Sequence, residues 1–226
     1  MGTFTGPNIV DDGLTFAIDA GSTRSYPGSG TTVTSLVGSN TGSLENGVGF
    51  STDNGGTFTF DGIDDYINLG VGTGLNEYSG DFAVSVWVMR VAGGGAYGSI
   101  IADYNTSGAN GWQIMIGPAS QIIFYRVGSG SIFSVASGYS NGTWINIVVT
   151  RIGSTIKLYS NGSVIGTATN STTFGSSYGN FNIGIDGNNS SEAMTGKISA
   201  LQIRKSQGLT AAEVTQNFNA QKSRFI

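Results

Sequence analysis

Residues 142–166 read "GTWINIVVTRIGSTIKLYSNGSVIG", two runs of apolar and β-branched residues interrupted by short polar turns. The dipeptide Asn161-Gly162 separates TIKLYS (155–160) from the β run that follows it. Both central residues of a type I′ turn need positive φ, and asparagine and glycine adopt it most readily. This stretch therefore predicts a tight antiparallel hairpin.

Further runs of β-type residues recur along the chain, with Gly, Asn and Ser clusters between them. In FAVSVWVMR (82–90), alternate residues share one face of a strand, and we expect that face in the core. Its members are Phe82, Val84, Val86 and Val88. The other predicted strands are 14–19, 57–60, 66–69, 99–104, 112–117, 121–127, 144–151, 155–160, 181–185 and 197–205. Many strands without alternating helices predict an all-β, two-sheet antiparallel sandwich.

Two segments depart from this pattern. Residues 21–50 have few consecutive apolar residues, which predicts a long surface excursion with one short strand. Near the C-terminus, Thr210 and Glu213 have the spacing of a capping box, with Leu209 and Val214 placed as a hydrophobic staple. We expect one helix from 211 to about 220 that packs Val214 and Phe218 onto the sandwich.

Composition narrows the class of protein. The chain has 226 residues, 38% of them hydrophobic, which is enough for one large β domain. Charged residues make up 11%, less than half of the ~25% in ordinary soluble domains. The net charge is −4 and the basic residues are scattered, so nucleic acid and anionic membrane are not expected as partners.

The chain contains no Cys and no His. This inventory excludes disulfides, thiol nucleophiles, Ser-His and Cys-His pairs, and imidazole or thiolate metal sites. Carboxylates, hydroxyls, amides and main-chain carbonyls remain, and these favour hard ions such as calcium. Residues 1–13, MGTFTGPNIVDDG, have neither a basic start nor an apolar stretch, so no secretory signal is predicted.

Four motifs, in this order along the chain, resemble the laminin-G-like or concanavalin A-like jelly-roll domains. They look like the family's N-terminal strand, first turn, central hairpin and last strand with helix, and they lie at 14–36, 58–70, 142–166 and 196–220. The resemblance implies an all-β, two-sheet antiparallel jelly-roll sandwich over residues 14–226 with one short C-terminal helix. Residues 1–13 are then expected to be an arm that orders on a neighbouring subunit, or else an ordinary frayed terminus.

The opening DAGSTRSYPGSGTT (19–32) and the ending LTAAEVTQNFNA (209–220) are most similar to versions carried on phage tails, fibres and capsids. The resemblance implies a non-enzymatic virion structural protein on the particle surface, either a capsid decoration or a tail or fibre subunit, with glycan adhesion. Its expected partners are other virion proteins, a cell-surface glycan and further copies of the chain, for example in a trimer. Synthesis in the host cytoplasm is expected. A free carbohydrate-binding, lectin-like module is the alternative.

A glycoside hydrolase is the third functional hypothesis. A glucanase of this fold needs acidic side chains at alternate positions of one strand, in a Glu-x-Asp-x-x-Glu arrangement. The four glutamates of this chain lack a second acid two or three positions away within a strand; they are Glu45, Glu77, Glu192 and Glu213. Since glycoside hydrolysis needs a pair of carboxylates, we expect no hydrolase activity.

The acidic turn DGIDD (61–65) is the first candidate site. Asp61 could accept main-chain N–H bonds across an Asp-Gly turn, while Asp64 holds a neighbouring loop. Alternatively, Asp61, Asp64 and Asp65 could bind calcium, which takes clustered carboxylates together with loop carbonyls. The spacing does not match an EF-hand loop.

The second candidate site is aromatic. Trp112, Tyr97 and Tyr104 adjoin Gly-rich connections and could form a stacking platform for a sugar ring. The alternative is that they are partly buried aromatics at strand ends. Trp87 and Trp144 lie within β runs and are expected in the core.

Overall fold

In a computed structural model, the protein consists of sixteen described strands and one α-helix. The structure describes residues 8–70, 74–75, 78–104, 111–175, 180–186 and 192–226, without the side chains of Tyr104 and Asn180. The strands are β1 Leu14–Asp19, β2 Thr32–Thr34, β3 Thr41–Glu45, β4 Gly49–Ser51, β5 Thr57–Asp61, β6 Tyr66–Asn68, β7 Phe82–Arg90, β8 Gly98–Tyr104, β9 Trp112–Ile116, β10 Gln121–Arg126, β11 Gly130–Ala136, β12 Trp144–Ile152, β13 Thr155–Ser160, β14 Ser163–Thr169, β15 Asn180–Ile183 and β16 Thr195–Lys205. Helix α1 spans Ala211–Gln221.

The strands form two antiparallel sheets that pack into a sandwich, which confirms the predicted fold class. Sheet A has the order β14-β13-β12-β7-β16-β5-β4, and sheet B has the order β11-β10-β9-β8-β15-β6-β3-β2. Strand β16 has a bulge between Ile198 and Leu201. On the edge of β16 that faces away from β7, the first half of β16 pairs with β5 and the second half pairs with β1. Strand β16 therefore joins β5 and β1 to the rest of sheet A.

Local sequence signals place the β13–β14 hairpin and the central strand β7 correctly. Asn161 and Gly162 adopt φ of 48° and 78° between β13 and β14, as a type I′ hairpin requires. The alternate residues predicted to face inwards from β7 all lie in the main core; they are Phe82, Val84, Val86 and Val88. The hairpin and β7 thus set the register of sheet A around one hydrophobic layer.

The expectation for residues 21–50 was wrong in its strand content. This segment contributes β2, β3 and β4, and it buries Tyr26 between Phe50 and Phe58 at ring-centroid distances of 5.2 Å each. Strands β2 and β3 expose threonines and turn single apolar side chains inwards, Val33 and Leu44. Isolated apolar residues give little strand signal in the sequence, although they complete the core here.

The C-terminal helix begins as predicted. The Thr210 side chain accepts from the Glu213 N–H, and the Glu213 carboxylate accepts from the Thr210 N–H at 2.8 Å, which completes the capping box. Leu209 and Val214 are both buried and share a cluster with Tyr159 on the outer face of sheet A. The prediction of the helix and its staple is confirmed.

The C-terminal segment covers the outer face of sheet A, so β7 is buried on both sides. Trp87 stacks on Phe225 with a centroid distance of 4.3 Å and an interplanar angle of 18°. Trp144 packs against the same ring at 4.9 Å, and Phe218 stacks on Trp87 at 5.8 Å. The two tryptophans are therefore buried as expected, but under the C-terminus and not between the sheets.

Arg224 fastens this C-terminal segment to the N-terminal half of the chain. One terminal nitrogen donates to both carboxylate oxygens of Asp19 at 2.8 Å. The other donates to Gly56 O at 2.9 Å and Ser199 Oγ at 2.7 Å, and Nε donates to Asn54 O. A Cβ on Gly56 would lie 2.5 Å from Ala20 O, so the close approach here requires glycine.

The described part of the predicted arm, residues 8–13, lies on the domain itself. Val10 donates its N–H to Asn217 Oδ1 at 2.7 Å and accepts at its carbonyl from the buried Arg204. Gln216 and Gln207 donate to Asn8 O and to Asp12, each at 2.8 Å. These residues thus form a strap across α1 and β16, while residues 1–7 lie outside the described part of the chain.

Replacing Arg224 tests how much its contacts with Asp19, Asn54, Gly56 and Ser199, which we call the Arg224 clamp, stabilise the domain. Arg224→Lys keeps the positive charge but loses the planar fork that reaches several acceptors together. We expect the free energy of unfolding, measured by urea denaturation, to fall by about 2 to 3 kcal/mol. The control Arg24→Lys changes an exposed residue, and we expect it to stay within about 0.5 kcal/mol of the wild type. Equal free energies of unfolding for the two variants would show that the Arg224 clamp does not stabilise the domain.

Candidate functional site

The acidic turn between β5 and β6 is held together by its own carboxylates. Asp61 Oδ1 accepts from the Ile63 N–H at 2.8 Å, and Gly62 has a φ of 83°. Asp65 Oδ2 accepts from the Asp61 N–H at 3.0 Å. The carbonyl of Asp64, and not its carboxylate, accepts from Asn46 Nδ2 at 3.0 Å. These contacts match the structural interpretation of the turn.

The same geometry brings the three carboxylates together. One oxygen from each of Asp61, Asp64 and Asp65 lies within 4.8 Å of the others. Asp61 and Asp64 are exposed, whereas Asp65 is only 4% exposed. Calcium binding at these residues stays a prediction.

Burial raises the pKa of Asp65, and the charges of Asp61 and Asp64 add to this effect, while the Asp61 N–H opposes it. Because the folded pKa lies above the unfolded one, the stabilisation that Asp65 contributes is complete at acidic pH, below its unfolded pKa. It is lost as the pH rises through the folded pKa, since the ionised form is the disfavoured one.

The predicted aromatic platform is not assembled. Trp112 is fully buried in the core, where it contacts Tyr78 and Phe124, so its ring has no face open to a sugar. The side chain of Tyr104 lies outside the described residues. Tyr97 is 39% exposed, on the connection between β7 and β8. Of the three residues, Tyr97 alone is shown with an open ring.

The outer face of sheet B carries a row of polar residues, but its centre is covered. Cross-strand pairing aligns Ser43, Asn68, Asn182, Ala102, Gln113, Tyr125 and Ser131. Asn182 is 3% exposed, and Gln113, which donates to Glu192 Oε2 at 3.0 Å, is 1% exposed. The middle of this face therefore offers no open surface to a ligand.

An open cleft of about 530 Å³ lies instead at one end of the sandwich. We call it the rim cleft. Three connections form it, β7–β8, β9–β10 and β11–β12, and its described lining residues are Arg90, Val91, Ala92, Gly93, Gly94, Ala96, Gly117, Pro118, Ala119, Ser120, Tyr139, Ser140 and Asn141. Its volume falls in the range of about 300 to 1,000 Å³ that is typical of small-molecule sites.

The turn between β9 and β10 has an unusual conformation at the edge of this cleft. Ala119 and Ser120 adopt φ of 53° and 59°, which costs on the order of 1 to 3 kcal/mol for each non-glycine residue. The β11–β12 connection holds the turn in place, because Ser120 Oγ donates to Tyr139 O at 2.6 Å and Ser137 N donates to Ser120 O at 2.9 Å. Strained backbone of this kind often accompanies ligand sites.

Two tyrosines meet at Gly117, in the floor of the cleft. The Tyr139 hydroxyl donates to Gly117 O at 3.4 Å. A Cβ at Gly117 would lie 3.4 Å from a ring carbon of Tyr97, so that ring stands beside the cleft. Tyr97 was a candidate from the sequence, whereas Tyr139 and Arg90 were not, since neither belongs to a recognisable motif.

The acidic turn lies at this same end of the sandwich. Gly62 in the turn and Gly94 in the cleft wall both lie against Thr195, since a Cβ at either position would be within 2 Å of Thr195 Oγ1. The described residues thus place the acidic turn next to the rim cleft.

A family model for the concanavalin A-like lectin/glucanases superfamily, Laminin_G_3, matches residues 60–215, which is more than half of the chain. The chain belongs to this superfamily. The resemblance seen in the sequence is therefore confirmed for the family. The four motifs overlap β1 and β2, β5 and β6, the β12–β14 segment, and β16 with α1; the first of them lies outside the matched residues. Among curated proteins, the comparison finds no match.

Solved structures with the same fold come from carbohydrate-active enzymes and a toxin. Domain 4 of AbnA, a GH43 extracellular arabinanase from Geobacillus stearothermophilus solved with arabinotriose, is 16% identical with a TM-score of 0.69, covering 91% of this chain and 98% of that chain. Trypanosoma rangeli sialidase in complex with sialic acid is 11% identical with a TM-score of 0.72, covering 97% and 35%. The binding domain of botulinum neurotoxin serotype G is 17% identical with a TM-score of 0.69, covering 92% and 51%.

This chain spans about a third of the sialidase and about half of the neurotoxin domain. At these identities, the likeness shows the fold alone. Among the described residues, no helix is both long and apolar enough to cross a membrane.

Chelation distinguishes the two interpretations of the acidic turn. Asp61→Ala removes the acceptor for the Ile63 N–H, and we expect it to lower the free energy of unfolding by about 0.5 to 1.5 kcal/mol. If the turn is structural, the melting temperature of the wild type will be the same with a chelator and with excess calcium. A lower melting temperature with chelator that calcium restores would instead establish a metal site.

Proposed function

We propose that the protein is a non-enzymatic carbohydrate-binding module and that the rim cleft is its binding site. The rim cleft itself carries this proposal, as an open cavity of about 530 Å³ bordered by two tyrosines. A sugar ring presents an apolar C–H face to an aromatic ring and hydroxyl groups to amides, hydroxyls and carbonyls. Tyr139 in the lining and Tyr97 beside Gly117 offer the first kind of contact. Ser140, Asn141 and the exposed main chain offer the second.

The superfamily and the fold support a carbohydrate ligand. The likeness to an arabinanase domain solved with arabinotriose makes an oligosaccharide a reasonable first ligand to test. The covered centre of sheet B also supports the rim as the place of binding, because Asn182, Ala102 and Gln113 in the middle of that row are buried.

The absence of catalytic activity is part of the proposal. No carboxylate is among the described residues that line the rim cleft, whereas glycoside hydrolysis needs a pair of them on either side of the scissile bond. The described glutamates are engaged elsewhere: Glu45 accepts from Ser43, Glu192 from Gln113, and Glu213 caps α1.

Binding measured with a glycan array tests the site. We expect Tyr97→Ala and Asn141→Ala to weaken binding of the strongest array ligand by about threefold to tenfold each, because each removes one contact at the cleft. Both residues are exposed, so the variants should fold like the wild type. The control Val164→Ala changes a residue that is 53% exposed outside the cleft, and its affinity should not change. Unchanged affinity in both cleft variants would refute this site.

We further propose that the module acts on a bacteriophage particle, as a decorating, tail or fibre subunit. The resemblance of residues 19–32 and 209–220 to phage-borne versions supports this, as does the low share of charged residues, 11%. The strap at residues 8–13 supports an intramolecular role for that part of the predicted arm, so the proposed contact with a neighbouring subunit is confined to residues 1–7.

Deletion of residues 1–7 tests the particle proposal. The melting temperature should not change, because the bonds from Asn8 and Val10 to α1 and β16 remain. Incorporation into particles, measured by mass spectrometry of purified virions, should be lost. The deletion stops before residue 8, because removal of Val10 would leave polar groups of Asn217 and Arg204 buried without this partner. Absence of the full-length protein from virions would refute the particle assignment.

A further inference from the structure

Arg90 is the cationic side chain among the described residues of the rim cleft, and its guanidinium is engaged by the protein itself. Nη1 donates to Ala96 O at 3.3 Å, to Gly117 O at 3.4 Å and to Ile116 O at 3.5 Å. Nη2 donates to Gly95 O and to Ala96 O, the latter at 3.3 Å. Both terminal nitrogens of Arg90 therefore point to main-chain carbonyls on two walls of the cleft.

These bonds connect elements that are distant in sequence. Gly95 and Ala96 belong to the β7–β8 connection, whereas Ile116 and Gly117 form the end of β9 and the start of the strained turn. The main chain of Arg90 adds a third connection, because Arg90 O accepts from the Gly142 N–H at 2.7 Å in the β11–β12 connection. Arg90 thus joins all three connections that form the cleft.

We propose that Arg90 is a positioning residue and that the rim cleft selects neutral sugars over sugars that carry a carboxylate. This inference rests on the proposed function and adds the class of ligand to it. A bidentate arginine is the usual partner of a carboxylate, but here the guanidinium already holds carbonyl groups. A carboxylate that took the two terminal nitrogens would have to displace those bonds and with them the geometry of the cleft.

Neutral sugars meet no such cost. Their hydroxyls both donate and accept, so they suit the hydroxyls, the Asn141 amide and the main-chain carbonyls around the cleft. The described lining holds no carboxylate that would attract a cationic ligand either. Binding should therefore change little with salt, since no free charge pair forms between the ligand and the cleft.

A glycan array of matched pairs tests this inference on the full chain. Each pair is a neutral oligosaccharide and its counterpart that ends in a uronic or sialic acid. We expect the neutral members to bind at least tenfold more tightly, with affinities that change less than twofold between 50 and 500 mM salt. Tighter, salt-sensitive binding of the acidic members would overturn the inference and leave the proposed function intact. No binding to any array member would overturn both.

The variant Arg90→Lys tests whether Arg90 positions the walls of the rim cleft for selective binding or only stabilises the fold. Lysine keeps the charge but cannot hold carbonyls on two walls with one planar group, so the cleft loses its shape and gains a free cation. We expect weaker binding of neutral members and a neutral-to-acidic affinity ratio that falls by about tenfold. The exposed Arg24→Lys should leave that ratio unchanged. A lower melting temperature of Arg90→Lys with the wild-type ratio would show that Arg90 has no part in selectivity.

Discussion

The ion pair between Arg224 and Asp19, in which one guanidinium nitrogen contacts both carboxylate oxygens, is the contact on which the arrangement of this domain depends. It joins residues 205 positions apart, and the same guanidinium also holds Asn54, Gly56 and Ser199. Its position brings Phe225 onto Trp87 and Trp144, so the outer face of sheet A is covered by the chain's own C-terminus. The pair is partly exposed, and its contribution lies in this geometry more than in its Coulomb energy.

The C-terminal segment covers part of the outer face of sheet A, and the centre of the outer face of sheet B is buried as well. One end of the sandwich remains open. At this end, the acidic turn and the rim cleft lie side by side around Thr195. The turn is closed by bonds among its own groups, whereas the cleft is held open by Arg90 and by the ties of Ser120 to the β11–β12 connection. Loops on a rigid scaffold are where binding sites concentrate, and this end of the domain follows that rule.

Secondary-structure elements could be predicted from the sequence where a short stretch of residues determines them. The hairpin follows from Asn161-Gly162, and the helix start from Thr210 and Glu213, because each involves neighbours within a few residues. The inward face of β7 likewise follows from its two-residue period. The strands of residues 21–50 could not be predicted in this way. Val33 and Leu44 are isolated apolar residues, and only the pairing of their strands within sheet B turns them towards the core.

Features that depend on distant partners could not be predicted. No feature of the neighbouring sequence distinguishes Trp112, which is fully buried in the core, from an aromatic residue at an open site. Arg90 and Tyr139 carry no motif, and their roles come from three connections that meet only in the folded chain. The acidic turn was the reverse case, because its conspicuous carboxylates include two, those of Asp61 and Asp65, that accept hydrogen bonds from main-chain N–H groups within four residues.

The claim that the rim cleft binds carbohydrate is tested most directly by nuclear magnetic resonance of the backbone amides during titration with neutral oligosaccharides. We expect the shifted amides to cluster in residues 91–97, 117–120 and 139–142, with little change along the row from Ser43 to Ser131 on sheet B. Shifts concentrated on that outer face of sheet B, or no shifts with any neutral oligosaccharide, would contradict it.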